Sequence, residues 1–309
     1  MKNDAPFNVD GVANFGGVNT FTNNAIGHGA VSNNGPAPAA EETAASHTAD
    51  GPRWDLGIIT ILAEEARAVH NAFELEWVPG KVGGLFFGTG EISVGDRSAS
   101  VVATRTHAQG QRSAMAACEH LRRHYDPAVL MLVGVGGGIG RGDDAPDLGD
   151  VVVGTRVVFY ELRKETSDGT IRRGEEREAP AEVVHAVNTY FTVNGEPASL
   201  PGQADGFRES AFRIFPSPIG SGYAVVADEE SEIRSFLNSF NDKILAVDME
   251  AGGLSQYWQE NSVDPVRNPG WVVVRGVSDR ADRNKRDAYH DLAARNAAHV
   301  ARELLHYLR

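Results

Sequence analysis

The sequence predicts an α/β protein, with helices packed on a mixed sheet. From Trp54 to the end of the chain, apolar runs of strand length alternate with segments of helical periodicity. Four of the predicted strands run into acidic or glycine-rich sequence, which is typical of the sheet edge where ligands collect in α/β folds. With 309 residues, of which 41% are hydrophobic, the chain can bury a sizeable core.

Residues 1–52 differ in composition from the rest of the chain. Asn, Gly, Ala, Thr and Ser dominate, which favours a disordered, low-complexity arm. Apolar residues recur at every third position from Val12 to Phe21, so a short β-structured arm that docks on a partner or a second copy is the alternative. We therefore predict an arm over residues 1–52 and a catalytic domain over residues 53–309.

The folded region is predicted to begin with a strand that feeds directly into a helix. Leu56 to Leu62 is an apolar run, and Ala63 to Phe73 continues with helical spacing. Glu64 and Glu65 fall in the first helical turn, where the helix dipole stabilises negative charge. A structural role therefore explains both acids, and a functional role for one of them is the alternative.

The next segments predict a meander, a helix and a buried strand. The meander strands are short and are expected at Leu85–Phe87, Ile92–Val94 and Ser98–Thr104. A turn is expected at Gly88-Thr89-Gly90. Gly110 to Tyr125 has the spacing of a helix, and Ala128 to Val135 is almost wholly apolar, as in a strand buried on both faces.

A cluster of glycines, GVGGGIGRG, occupies Gly134 to Gly142 at the end of this buried strand. It does not fit a dinucleotide fingerprint, because the following DDAPDLGD cannot open a helix. Glycines at such a position let a ligand approach the backbone directly. Gly149 to Tyr160 is then expected to form one long strand, and Ser221 to Val226 a short one.

Two later strands end in acidic motifs. In AVDMEAGGL, Ala246 to Leu254, two acids stand where a buried strand should end. Burying a carboxylate costs several kcal/mol unless it is paired or has a function, so both acids require an explanation. The last buried strand, Trp271 to Val274, leads into RGVSDRAD, and a helix is expected from about Ala288 to Leu308.

Composition excludes several classes of function. The net charge of −13 argues against nucleic acid and anionic membranes as main partners. A single cysteine, Cys118, excludes an intrachain disulfide, and no apolar run resembles a signal peptide or membrane span. The histidines at 107, 120, 124 and 290 show no metal-ligand spacing. We therefore expect a cytoplasmic protein without metal or cofactor.

Four strand ends stand in order along the chain: ITILAEEARAV, VGVGGGIG, AVDMEAGGL and VVVRGVSDRAD. Together they resemble the purine nucleoside phosphorylase/uridine phosphorylase superfamily, and in particular its methylthioadenosine/S-adenosylhomocysteine nucleosidase branch. The C-terminal part also resembles phosphorylase-like effector modules of immune-type proteins. The resemblance covers about residues 54 to 309 and implies a three-layer αβα sandwich around a mixed, partly barrel-like sheet.

The resemblance implies cleavage of an N-glycosidic bond through an oxocarbenium-like sugar. Asp279 matches the general acid at the purine base, and Ser278 matches the residue that steadies it. Glu250 matches the carboxylate that accepts hydrogen bonds from the ribose hydroxyls, with a structural ion pair as the alternative, and Met249 would pack against the sugar. Asp248 stands where the nucleosidase branch usually has Glu, so a shorter side chain is expected to alter its contact with sugar or water.

The remaining predicted contacts come from the other junctions. Glu65 matches the acid that orients the attacking water, although a shift of one residue would exchange it with Glu64. Backbone groups of Gly136 and Gly137 would contact the nucleophile or base. Val225 and Val226 fall near the base-stacking position, where the family often has an aromatic residue, and Val226 is the predicted contact. Arg275 completes the predicted substrate-binding set.

The identity of the nucleophile and of the substrate stays open at this point. Water gives a nucleosidase, whereas phosphate gives a phosphorylase and needs a cationic cradle, for which Arg105 and Arg112 are the candidates. An inactive nucleoside-sensing module is a third alternative. A nucleotide substrate would require positive charge, and the possible suppliers are Arg172, Arg173, Arg280, Arg283, Lys285 and Arg286, which a solvated surface also explains. We predict a purine nucleoside or adenine nucleotide as substrate. The protein is expected to be a homo-oligomer, and a defence-type effector role is one possibility.

Overall fold

The computed structural model describes residues 53–140, 142, 145–202, 211–262, 270–281 and 289–308. The predicted N-terminal arm, together with Arg283, Lys285 and Arg286, lies outside the described residues.

Six helices are present in the described residues. They are α1 (Ala63–Ala72), α2 (Gln111–Tyr125), α3 (Ala181–Asn194), α4 (Glu232–Phe240), α5 (Ala251–Asn261) and α6 (His290–Leu308). Helices α1 and α3 both contact α6, whereas α2 and α5 contact each other. These two groups of helices enclose the sheet, which confirms the predicted α/β sandwich.

The strands up to the start of α3 are β1 (Leu56–Thr60), β2 (Glu76–Trp77), β3 (Phe87–Val94), β4 (Arg97–Arg105), β5 (Val129–Gly138), β6 (Val151–Gly154), β7 (Arg156–Phe159), β8 (Arg163–Thr166), β9 (Gly169–Arg172) and β10 (Glu175–Glu178). Those after α3 are β11 (Ala198–Leu200), β12 (Phe212–Pro216), β13 (Ile219–Ser221), β14 (Ala246–Asp248) and β15 (Gly270–Asp279). All except the hairpin β8–β9 belong to one sheet.

Strand β5 is the centre of this mixed sheet. It runs parallel to both β1 and β15, and its glycine-rich end pairs antiparallel with β14. Its first residues, Val129 to Val133, are buried, as the apolar sequence predicts. The functional consequence is that the ends of β1, β5, β14 and β15 meet at one place.

A β-bulge interrupts the pairing of β15 with β5 shortly before β15 ends. Val277 pairs with Gly136 and Asp279 with Gly137, so that Ser278 is the extra residue. Bulges re-aim side chains and are common beside active sites. Here the bulge sets the direction in which Asp279 leaves the sheet.

Three strand predictions were wrong in detail. The turn expected at Gly88-Thr89-Gly90 is part of the continuous strand β3, where Gly88 leaves room for the ring of His70. The long strand expected over 149–160 breaks at Thr155, because β6 pairs with β12 and β15 whereas β7 pairs with β10 and β13. The strand expected at Ser221–Val226 ends at Ser221, and the chain leaves the sheet there.

Helix α6 packs on β15 through small residues. Its buried face includes Ala293, Ala297 and Ala301, and a Cβ on Gly276 of β15 would overlap the backbone of Ala293. This close approach fixes β15, and with it the bulge, against the helix layer. Within the residues that the structure describes, no helix combines the length and apolar character needed to cross a bilayer.

Candidate active site

The four predicted strand ends line one cavity. Its wall includes Glu65 after β1, Gly136 and Gly137 in β5, the segment from Val247 to Glu250, and the pair Ser278 and Asp279. Met249 and Val226 also line it, as predicted. The structure therefore brings together the acids, the glycines and the apolar contacts that the sequence singled out.

Glu65 is held in the cavity wall by three backbone amides. Its Oε2 accepts hydrogen bonds from the amides of Ile61 at 2.7 Å and Leu62 at 2.8 Å, and its Oε1 from the amide of Val135 at 2.9 Å. The contacts to Ile61 and Leu62 arise because Glu65 is the third residue of α1 and reaches back to the helix start. The carboxylate thus ties β1 to β5.

The neighbouring acid has a different environment. Glu64 lies 3.5 Å from Nδ1 of His290, at the start of α6, and both side chains are partly exposed. Of the two candidate acids, Glu65 is the one that is buried in the cavity wall, which is the placement that the resemblance implies.

Beneath the cavity lies the fully buried side chain of Arg275. Its Nε and Nη2 donate to Oδ2 of Asp248 at 2.9 and 2.6 Å, and Nη2 also donates to Oε2 of Glu250 at 3.1 Å. Burial lowers the pKa of the guanidinium, but the charges of Asp248, Glu250 and Glu65 outweigh it, so that the pKa is raised. Arg275 therefore stays charged.

A glycine makes room for this cluster. A Cβ on Gly134 would overlap both Oε1 of Glu65 and Nη1 of Arg275. The bare backbone of β5 at this position lets the carboxylate and the guanidinium approach each other, which no larger residue permits without displacing one of them.

The carboxylate of Asp248 makes structural contacts. Besides Arg275, it accepts hydrogen bonds from the amide of Ala251, with both oxygens at 3.1 Å, and so satisfies the first amide of α5. Although Asp248 lines the cavity, its side chain is 1% exposed. The shorter acid at this position therefore serves as counter-ion of Arg275 and as helix cap.

Glu250 is the more available acid of this pair. Its Oε1 accepts a hydrogen bond from the amide of Gly110 at 2.8 Å, at the start of α2. Burial raises its pKa to about 7, against the opposing effect of Arg275, and the charges of Asp248 and Glu65 raise it further. Glu250 therefore sits in a cluster that carries more negative than positive charge.

Asp279 faces the cavity from the bulge at the end of β15. Its Oδ1 accepts a hydrogen bond from the amide of Ala281 at 2.9 Å, and its Oδ2 lies 3.2 Å from the hydroxyl of Ser278. A Cβ on Gly137 would stand 3.1 Å from Oδ1, so the glycine keeps this side of the acid open. The arrangement holds the carboxyl at the edge of the cavity.

Several predicted contacts lie elsewhere. Arg275 does not line the cavity, because it is buried behind Asp248 and Glu250. Arg105 and Arg112 are exposed and outside the cavity wall, and Nε of Arg105 donates to the carbonyl of Ile61 at 2.9 Å. Arg172 and Arg280 pair with Glu232 and Asp147 instead.

Outside the four quoted motifs, sequence reasoning missed four contributors to the wall, namely Gln109, Tyr160, Ala224 and His290. No aromatic residue was predicted beside Val226, but Tyr160 packs in the same buried cluster as Val226. Tyr160 directly follows β7, so its position at a strand end was the available signal. Within the described part of the chain, no group of three or more His, Cys, Asp or Glu residues could hold a metal ion.

Comparison with known sequences adds to this geometry. The model of the Phosphorylase superfamily matches residues 55–309. Two curated relatives from Escherichia coli, both ATP nucleosidase Cap17, are 23% identical over 237 residues, which are 72% of this chain and 45% of the relative. The chain thus spans less than half the length of the curated relatives it matches.

Solved structures share the fold at low sequence identity. The 5′-methylthioadenosine/S-adenosylhomocysteine nucleosidase of Neisseria meningitidis is 20% identical with a TM-score of 0.59, covering 82% of this chain and 98% of that one. The futalosine hydrolase of Helicobacter pylori is 17% identical with a TM-score of 0.62, covering 81% and 97%.

Removing the counter-ion of Arg275 should destabilise the protein strongly. Asp248→Ala leaves a buried guanidinium short of one carboxylate and removes a helix cap, so we expect a loss of about 4 kcal/mol in the free energy of unfolding. The control is Asp147→Ala, which removes an exposed partner of Arg213 and Arg280 and should cost less than about 1 kcal/mol. Urea unfolding measures both, and equal losses would contradict the account.

The raised pKa of Glu250 should make stability depend on pH. Between the ordinary value of 4.5 and about 7, the folded chain keeps a proton that the unfolded chain has released. This contribution to stability therefore falls as pH rises through that interval and is level above it.

In Glu250→Gln this contribution is absent, so the variant should gain stability relative to wild type as pH rises from about 5 to about 7. Urea unfolding at a series of pH values measures this, with the exposed Glu91→Gln as control. Parallel stability curves for wild type and Glu250→Gln would show that the pKa is not raised.

Proposed function

The chain belongs to the phosphorylase superfamily, and we propose that it hydrolyses the N-glycosidic bond of a purine nucleoside or adenine nucleotide, releasing the free base. Residues 53–309 would form the catalytic domain. The observation that carries this proposal is the placement of Glu65, Glu250 and Asp279 around one cavity.

The three acids suit three tasks in this reaction. The two oxygens of Glu250 can accept hydrogen bonds from the vicinal hydroxyls of ribose, which fixes the sugar. Asp279, at the edge of the cavity, can donate a proton to the departing base as general acid. Glu65 can accept a proton from water that attacks the opposite face of the sugar, where positive charge develops.

The charge around the nucleophile position favours water over phosphate. Phosphate is a dianion that needs cationic or amide donors. In the described residues Glu65 lines the cavity whereas Arg105 and Arg112 do not, and Arg275 is already engaged with Asp248 and Glu250. A second anion beside these carboxylates would be repelled, and a neutral water molecule would not.

Adenine is the base that the relatives favour. ATP nucleosidase and 5′-methylthioadenosine/S-adenosylhomocysteine nucleosidase differ at the 5′ end of the substrate, but both names denote an adenine-containing compound. We therefore propose adenine as the released base. We also propose a cytoplasmic homo-oligomer with a defence-type role, in which residues 1–52 contact another copy or a partner protein.

The nucleophile and the substrate can be tested together. Wild-type protein is incubated with adenosine, methylthioadenosine, AMP and ATP, each with and without inorganic phosphate, and free adenine is measured by chromatography. We expect adenine release from at least one substrate without phosphate, together with an equal amount of reducing sugar.

Release that requires phosphate and yields a sugar 1-phosphate would instead identify a phosphorylase. Release of no base from any of the four would contradict the proposal and favour an inactive sensing module. Asp279→Asn serves as the matched control, since it should lose activity by about 100-fold or more while keeping the fold.

A further inference from the structure

One short segment of the cavity wall is held by two consecutive side chains. Glu161 Oε1 accepts hydrogen bonds from the amides of Tyr223 at 2.9 Å and Ala224 at 3.0 Å. The hydroxyl of Tyr160 donates to the carbonyl of Ala224 at 2.8 Å. Both backbone groups of Ala224 are therefore fixed by residues that directly follow β7.

The held segment leaves the sheet at Ser221 and contributes residues 224–226 to the cavity wall. It has no regular secondary structure. Ordering a backbone that lacks sheet or helix hydrogen bonds costs conformational entropy, which the contacts of Tyr160 and Glu161 offset.

The same segment adjoins an apolar recess next to Asp279. Val226 belongs to one buried cluster with Tyr160, Val247 and Ala281. Val247 and Ala281 both approach Gly137, as does the carboxylate of Asp279. These apolar side chains are the part of the wall against which the flat face of a base would pack, close to Asp279.

We propose that Tyr160 and Glu161 are positioning residues that hold the backbone at 224–226 as the edge that recognises the purine base. The inference rests on the proposed function, because it assigns the base to this recess. Since the side chains of Ala224, Val225 and Val226 are apolar, peptide groups are what this segment can offer to the polar edge of a purine.

Two features suit the pair to this task. Burial, with the nearby charges of Asp248 and Glu161, raises the pKa of Tyr160, so its hydroxyl stays protonated and donates. The Glu161 side chain is only 18% exposed, and its bond to the amide of Ala224 is partly buried. A peptide edge that is fixed in advance can distinguish a 6-aminopurine from a 6-oxopurine, whose donors and acceptors are exchanged.

The test is steady-state kinetics of base release from adenosine and inosine. Glu161→Ala should raise KM for the adenine substrate by about 10- to 100-fold, with kcat changed by less than about threefold, because charged hydrogen bonds to the wall are lost. The ratio of kcat/KM for adenosine to kcat/KM for inosine should fall in the same variant. Tyr160→Phe should shift KM in the same direction by about fivefold.

Two further variants serve as controls. Glu161→Gln keeps an oxygen that accepts from both amides and should restore most of the wild-type KM. Glu165→Ala removes an acid of the adjacent hairpin that is 66% exposed and should leave KM and kcat unchanged. An unchanged KM in folded Glu161→Ala would overturn the inference, whether or not kcat falls.

Calorimetric binding of free adenine separates this inference from the proposed function. If wild type releases no base but binds adenine, and Glu161→Ala weakens that binding at least tenfold, the hydrolase proposal fails and the positioning role stands. If wild type releases adenine and Glu161→Ala binds it as tightly as wild type does, the positioning role fails alone. If wild type neither releases nor binds adenine, both fail.

Discussion

The buried charge of Arg275 is the constraint on which the site depends. A guanidinium without access to water is tolerated only with compensating carboxylates, and Asp248 and Glu250 supply them from the end of β14. Conversely, the two acids could not be buried side by side without a cation. The ion pairs therefore fix β15 against the β14–α5 junction, and Gly134 leaves the room in β5 that this requires.

The cluster is not electrically balanced, and this imbalance bears on function. Three acids surround one guanidinium, and the burial of Glu250 raises its pKa to about 7. An excess of negative charge is unfavourable for phosphate, yet suits a sugar that becomes positive as the bond to the base breaks. The same fold can host either nucleophile, so it is the local charge, and not the superfamily, that supports water.

The extent to which the sequence predicted this site follows from the kind of interaction involved. The strand ends are marked by local patterns, so the acidic junctions could be located, and the resemblance then singled out Glu65, Glu250 and Asp279 within them. The role of Arg275 could not, because a buried ion pair depends on two strands whose contact no local pattern shows. Tyr160 was missed for a related reason, since its contact with Ala224 joins segments that lie 64 residues apart in the chain.

We propose that Glu65, and not the adjacent Glu64, activates the water molecule. Base release in phosphate-free buffer, compared between Glu65→Gln and Glu64→Gln, tests it most directly, with thermal unfolding to confirm that both variants fold. We predict a loss of about 100- to 10,000-fold for Glu65→Gln and of less than about tenfold for Glu64→Gln. Near wild-type activity in Glu65→Gln, or an equal loss in both variants, would contradict the account.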